Sequence, residues 1–494
     1  MRDVARFLFP LFLLGSLGCA ATTADAFPPE APAAPAGPQL DPTQQAIADR
    51  LDAAARVARA DPETPVIGLA VKVVSRGTTL LERGYGFTDL DGQQPMPAEA
   101  IFRIGSITKQ FTAAAILQLE EQGKLKLDDP IGKYLPPPYL KDSSQPIARV
   151  TLQQLLSHSS GIVNFTSLPW NDSHKAQAVS QQELVAAFAE LPLEFEPGTR
   201  FSYSNSNYYL LGLVVEQVSG QSYADYLRQH VFAPAGLIET RYCPDAQDYP
   251  HATPGYERYT GQLRPARAVA TANAFAAGGL CSSVGDLVRW SQALSSGKVI
   301  QPESYARMRA PAPLQDGQRS PYGFGLFLGE LEGHARVEHG GRIDGFVGLL
   351  SHYPDDDFVI AVLANTGSPS VVDKLGEQLA RILIGSPEAE PRELPVLEAE
   401  AQPLLGTYQI PELGQTLLVV WRDGALRLGP AQAPDENFRL RAQGGGVYLV
   451  PELKASIRFE LESGKARAVL VHQQGHDVRG ERVPERATSG AVQP

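Results

Sequence analysis

The placing of apolar strand-like runs at both ends of one long stretch constrains this chain most. Val66 to Val74 (VIGLAVKVV) followed by Thr78 to Tyr85 reads as a β-hairpin. Short strands return at Gly323–Leu328, Arg336–His339, Gly345–His352 and Phe358–Ala364. Helical spacing marks Thr43 to Ala58, Ser106 to Gln122 (ended by Gly123) and Lys374 to Ile384, with mixed helix and loop in the middle. Strands that open and close a region around a helical middle predict an α+β fold. Its antiparallel sheet takes strands from both ends of the region and is flanked by helices, beside an all-helical part.

After residue 385 the texture changes. Residues 386–402 are rich in Pro and Glu and read as a linker. From 403 to 484, short alternating runs are split by Gly, Asp and Asn, which predicts a small all-β, barrel-like domain. Residues 485–494 read as a tail. The main domain is therefore expected at 43–385, preceded by a Pro/Ala-rich linker at 27–42 that is unable to hold a helix.

Residues 1–26 read as a signal peptide. Arg2 and Arg6 give a basic start, Phe7 to Leu17 an apolar stretch too short to span a bilayer, and Ala24-Asp25-Ala26 a cleavage site. A lipid anchor at Cys19 is the competing reading. Both predict export to the periplasm or beyond, with no membrane span in the mature chain. With Cys19 removed or lipidated, Cys243 and Cys281 remain, and an oxidising compartment favours a disulfide between them. Lys and Arg number 43 against 55 Asp and Glu, a net charge of −12, which argues against nucleic acid as a partner. Three Cys are too few for a four-thiolate zinc site, and His472 and His476 flank Gln-Gln-Gly, a poor helix, so no metal is expected. There is no G-x-S-x-G elbow.

Three elements carry chemistry. Ser106 and Lys109 lie three apart at a helix start, so ammonium and hydroxyl share a face. A serine hydroxyl needs such an adjacent base to become nucleophilic. Tyr203-Ser204-Asn205 follows a Pro197-Gly198 turn. A nearby lysine cation favours ionisation of the phenol, and Asn205 offers a donor and an acceptor. His339-Gly340-Gly341 lies near a strand end. Its glycines allow close backbone approach, and its His can donate to a carboxylate or share a proton. His158 reads as a structural hydrogen-bonder.

In this order the three elements resemble the serine β-lactamase and penicillin-binding-protein superfamily, in its class C-like branch. The flanks are similar too: Phe102-Arg103-Ile104-Gly105, Gly123 to Pro130 (GKLKLDDP), Leu155 to Gly161 (LLSHSSG), Pro234 to Leu237 (PAGL) and Gly278-Gly279-Leu280. The resemblance implies a β-lactamase/transpeptidase-like fold and acyl-enzyme catalysis without cofactor. Ser106 would be the nucleophile, and Lys109 would assist it and hold Tyr203 partly ionised. Tyr203 would carry the proton to the leaving group, and Asn205 would position substrate and Lys109. The backbone N–H groups of Ser106 and Arg342 would form the oxyanion hole. His339-Gly340-Gly341 stands where β-lactamases of this branch carry Lys-Thr-Gly, and it resembles the pattern of D-aminopeptidases and some esterases. The β-domain resembles the lipocalin-like domains that accompany such peptidases. The resemblance thus implies a serine hydrolase of small amides or esters, including D-amino-acid peptides. The alternatives are a β-lactamase or DD-carboxypeptidase, and a non-catalytic envelope binding protein.

Overall fold

The structure is a computed structural model. It describes residues 40–483 except 61–65, 143, 246–248, 260–261, 315–316, 318, 386–395, 412–414, 435–436, 445, 454, 463 and 474–475. The expected signal peptide, Cys19, most of the 27–42 linker, most of the 386–402 linker and the tail lie outside the described residues. The chain divides into two compact units after Pro387.

Helix α1 (Pro42–Ala60) leads into strands β1 (Gly68–Ser75) and β2 (Thr78–Gly86). The same sheet ends with β3 (Phe327–Leu331), β4 (His334–Ile343), β5 (Phe346–Tyr353) and β6 (Phe358–Ala364). The order is β2-β1-β6-β5-β4-β3, antiparallel throughout, so first and last strands meet in the centre as the sequence predicts. Side-chain alternation splits β1 between two cores. Leu69, Val71 and Val73 pack with Leu51 of α1 and with Leu375 and Leu379 of the closing helix, Pro369–Ile384. Ala70 and Val74 face the helical region. A strand covered on both faces reads as an unbroken apolar run, which explains why all seven residues of β6 are buried.

The helical region is built around α2 (Thr108–Glu121), buried on all sides from Thr108 to Leu119. Three alanines, Ala113 to Ala115, give neighbouring helices close approach. Two boundaries depart from expectation. The predicted helix start at Ser106 is a separate 3₁₀ turn, Gly105–Ile107, because Gly105 has a φ of +49°. The strand predicted from Gly323 starts only at Phe327, since residues 322–326 fold into a turn against α2. Gly325 has a φ of +72°, and a side chain there would come within 2.8 Å of the Lys109 carbonyl.

A small sheet joins Phe102–Arg103, Leu280–Ser282 and Arg241–Tyr242. Cys243 and Cys281 form a disulfide beside it, with α-carbons 5.2 Å apart across 38 residues of sequence. In the chain-entropy account a loop of that length is worth about 4 kcal/mol. Cys243→Ala/Cys281→Ala is expected to lower stability to urea by most of that amount. A loss under about 1 kcal/mol would show that the cross-link adds little to its well-packed surroundings.

The second unit is a nine-stranded antiparallel sheet among the described residues. Its first strand, Gly406–Ile410, pairs with its last, His476–Arg482. Its two edge strands, Phe438–Arg439 and Arg441–Gly444, are consecutive in the chain, so the sheet curls into a nearly closed barrel around Tyr408, Leu417, Val419, Ile457 and Val469. The short helix Glu398–Ala401, within the stretch read as linker, places Ala401 in this core. Among the described residues, no helix is long and apolar enough to cross a membrane.

Candidate active site

Gly105 sets Ser106 against the sheet. A side chain at Gly105 would come within 2.7–2.8 Å of the N, C and O atoms of Arg342, and one at Gly341 within 2.0 Å of the Ile104 carbonyl. Two backbones therefore lie in direct contact, and the peptide groups of Ser106 and Arg342 become neighbours. Strand β3 pairs with β4 only as far as Glu338. The β4 edge from Gly340 to Ile343 has no strand partner on that side among the described residues, leaving room for a substrate backbone beside Ser106.

Lys109 lies one helical turn beyond Ser106 and is fully buried. Its Nζ lies 3.0 Å from Ser106 Oγ, 2.8 Å from Asn205 Oδ1 and 2.7 Å from the Ala277 carbonyl, and as an ammonium it donates to all three. Burial holds the amine well below the ordinary lysine pKa. Two of its three partners are carbonyl oxygens, which only accept. A neutral amine satisfies both with its two N–H groups and turns its lone pair to the third partner, the Ser106 hydroxyl. The geometry therefore equips Lys109 as the base for Ser106.

Asn205 opens a helix, Asn205–Ser219. Its Nδ2 donates to Thr166 Oγ1 at 3.0 Å and its backbone N–H to Asn164 Oδ1 at 3.0 Å. Thr166 in turn donates to Asn164 Oδ1. One N–H of the Asn205 amide is left for a substrate carbonyl. Neither Asn164 nor Thr166 announces itself in the sequence, because each acts only through a contact across about 40 residues.

Tyr203 differs from expectation. Lys109 Nζ sits over its ring, 4.9 Å from the centroid, rather than at its hydroxyl. The hydroxyl is buried without a hydrogen-bond partner. Burial pushes the phenol well above the ordinary tyrosine value; Ser106 lies near enough to ease ionisation, but no aligned hydrogen bond joins them. Burial thus favours the neutral phenol over the partly ionised one expected from the sequence. Its ring is fixed by His158 at 4.3 Å and by Phe327, nearly parallel at 6.3 Å.

His158 holds the motif from behind. Its Nδ1 accepts from the Ser204 backbone N–H at 3.2 Å and lies 3.2 Å from Asn207 Nδ2. Burial, with Lys109 and His339 nearby, keeps it neutral. His339 also differs from the part expected of it. Its Nδ1 faces the Gly340 carbonyl at 2.6 Å, which fixes the proton there, so Nε2 accepts from the Tyr322 hydroxyl at 2.8 Å. It is 1% exposed, and burial lowers its pKa to about 3. Both nitrogens are engaged within the protein, so His339 offers a substrate no cation. Arg342, by contrast, is exposed. Among the described residues no cluster of His, Cys, Asp and Glu suits a metal ion.

Ser106, Lys109, Tyr203 and Asn205 thus converge, with the Gly340–Arg342 backbone against them. A family model described as Beta-lactamase matches residues 45–383. The chain is 28% identical to penicillin-binding protein 4* of Bacillus subtilis, over 81% of this chain and 92% of that protein. It is 29% identical to D-aminopeptidase of Brucella canis, over 71% of this chain and 65% of that enzyme. The solved D-stereospecific amidohydrolase of a Streptomyces species superposes with a TM-score of 0.58 at 25% identity, covering 69% of this chain and 99% of the other. A serine within hydrogen-bond reach of a buried lysine and a family match over most of the length place this chain in the beta-lactamase family of serine hydrolases.

Proposed function

We propose that this protein is an exported serine amidohydrolase that cleaves amide bonds of single D-amino acids or short D-configured peptides through an acyl-enzyme on Ser106. The carrying observation is the hydrogen-bond set of Lys109, in which only Ser106 can meet the lone pair of a neutral amine. Ser106 Oγ attacks the carbonyl carbon as its proton passes to Lys109 Nζ. The Ser106 and Arg342 N–H groups face the developing oxyanion, each donor of this kind being worth ~3–4 kcal/mol. The C–N bond then breaks, the leaving nitrogen takes the Tyr203 proton, and the proton held by Lys109 returns to the phenolate by way of the water that enters the cleft as the amine departs. Water attacks the ester by the same route in reverse and frees the acid.

The neutral His339 supports amides over β-lactams. A fixed cation at this strand end would favour a substrate carboxylate, and this imidazole supplies none. Similarity to a D-aminopeptidase and a D-stereospecific amidohydrolase supports the D configuration. The leader-like residues 1–26 support export, with Cys19 as the anchor in the lipoprotein form. Similarity to a penicillin-binding protein over 92% of its length favours a DD-carboxypeptidase as the second reading.

Purified protein should be assayed on D-alanine and L-alanine p-nitroanilide, a short-chain aryl ester and a chromogenic cephalosporin. The D-anilide is expected to exceed its L-isomer by about 100-fold in kcat/KM, and the cephalosporin to be turned over poorly. Rapid cephalosporin hydrolysis with inert anilides would overturn the proposal.

A further inference from the structure

The segment from Asn164 to Lys175 links the helical wall that carries Asn205 to the strand wall that carries Arg342. At its start, Asn164 and Thr166 bind Asn205 on the helical wall. It continues through the short helix Pro169–His174, and its end is tied to the opposite wall, where Lys175 Nζ donates to Asp344 Oδ2 at 2.5 Å. Asp344 follows β4 immediately. It lies two residues past Arg342, a reach of about 7 Å in extended chain. The far end is braced as well. Asn273, 3% exposed, donates to the carbonyls of His174 at 3.0 Å and Gln177 at 2.8 Å, while the Lys175 carbonyl accepts from the Ala270 N–H at 2.8 Å. Lys175 and Asp344 are 23% and 24% exposed, so the pair is only half screened by water.

Position along β4 relates this link to the direction of the substrate. The ring of Tyr203, which protonates the leaving nitrogen, packs 6.2 Å from that of His339. Arg342, beside Ser106, comes next along the strand, and Asp344 lies beyond it. The leaving group therefore lies toward His339, and the acyl part of the substrate runs toward Asp344.

We propose that the Lys175–Asp344 pair is a specificity-determining latch. It closes the acyl end of the cleft and restricts substrates to those whose acyl part is a single amino-acid residue. The proposal rests on the acyl-enzyme reading of Ser106. It places the protein among enzymes that remove one residue from the amino end, and it excludes interior cleavage of a peptide or glycan-linked stem as its reaction.

The test compares kcat/KM for D-alanine p-nitroanilide and N-acetyl-D-alanyl-D-alanine p-nitroanilide. It uses the full protein, Lys175→Ala, Asp344→Ala and the exchange Lys175→Asp/Asp344→Lys. Wild type is expected to favour the single residue by at least about 10-fold. Each alanine variant is expected to raise the longer-to-shorter ratio by about 10-fold, and the exchange to bring it back toward wild type. Partial unfolding would lower both substrates together and leave the ratio in place. Equal use of both substrates by wild type, or an unmoved ratio in active variants, overturns the latch alone. Absence of turnover on both in wild type overturns it together with the reading it rests on.

Discussion

Ser106→Ala is expected to lower kcat/KM on the preferred anilide by at least about 10⁴-fold while leaving the fold intact. The hydroxyl is half-buried, on a turn whose shape is set by Gly105 and by the backbone of Arg342. Its removal strips one hydrogen bond from Lys109 but leaves the two carbonyl partners in place. The oxyanion donors are backbone groups and survive the substitution. A residual rate above the uncatalysed one is thus compatible with the mechanism, but an acyl-enzyme is not. Mass spectrometry after incubation with a slow ester substrate should show a covalent adduct on wild type and none on Ser106→Ala. An adduct on the variant, or a loss of less than about 10-fold, would assign the nucleophile elsewhere.

The sequence shows the parts of the site that follow from local geometry. Ser106 and Lys109 meet because three residues make nearly one helical turn, and this holds although Ser106 itself lies in the 3₁₀ turn before α2. Strand β6 is legible because an apolar run of seven with no polar face needs cover on both sides. What stays hidden depends on packing. Nothing around His339 indicates that Tyr322 will claim its second nitrogen and that burial will keep it uncharged. Nor does the spacing of Lys109 and Tyr203 reveal that the amine faces the ring rather than the hydroxyl, which reverses the expected state of the phenol. The last barrel strand, His476–Arg482, escapes because its residues HDVRGER are mostly polar; its place is fixed by pairing with both neighbours.

The second large effect concerns Lys109 and pH. The base must be unprotonated to accept the Ser106 proton, and burial draws its pKa down from the lysine value of 10.5. Activity should therefore fall as pH drops through the lowered pKa of Lys109 and hold as pH rises. The histidines of the site do not produce this acid limb. His339 titrates at about 3, and His158 is also driven well below the ordinary histidine value, so both stay neutral across the range assayed. On the alkaline side, Tyr203 must keep its proton to serve the leaving group, and its raised pKa carries the plateau upward. Lys109→Met, close in length and unable to accept a proton, is expected to lose about 10³-fold in kcat and to lose the acid limb with it. Tyr203→Phe should slow anilide hydrolysis far more than hydrolysis of a p-nitrophenyl ester, whose leaving group departs without a proton. If the Lys109→Met variant kept the wild-type acid limb, the titrating base would be another group, and the hydrogen bond between Lys109 and Ser106 would be one of position alone.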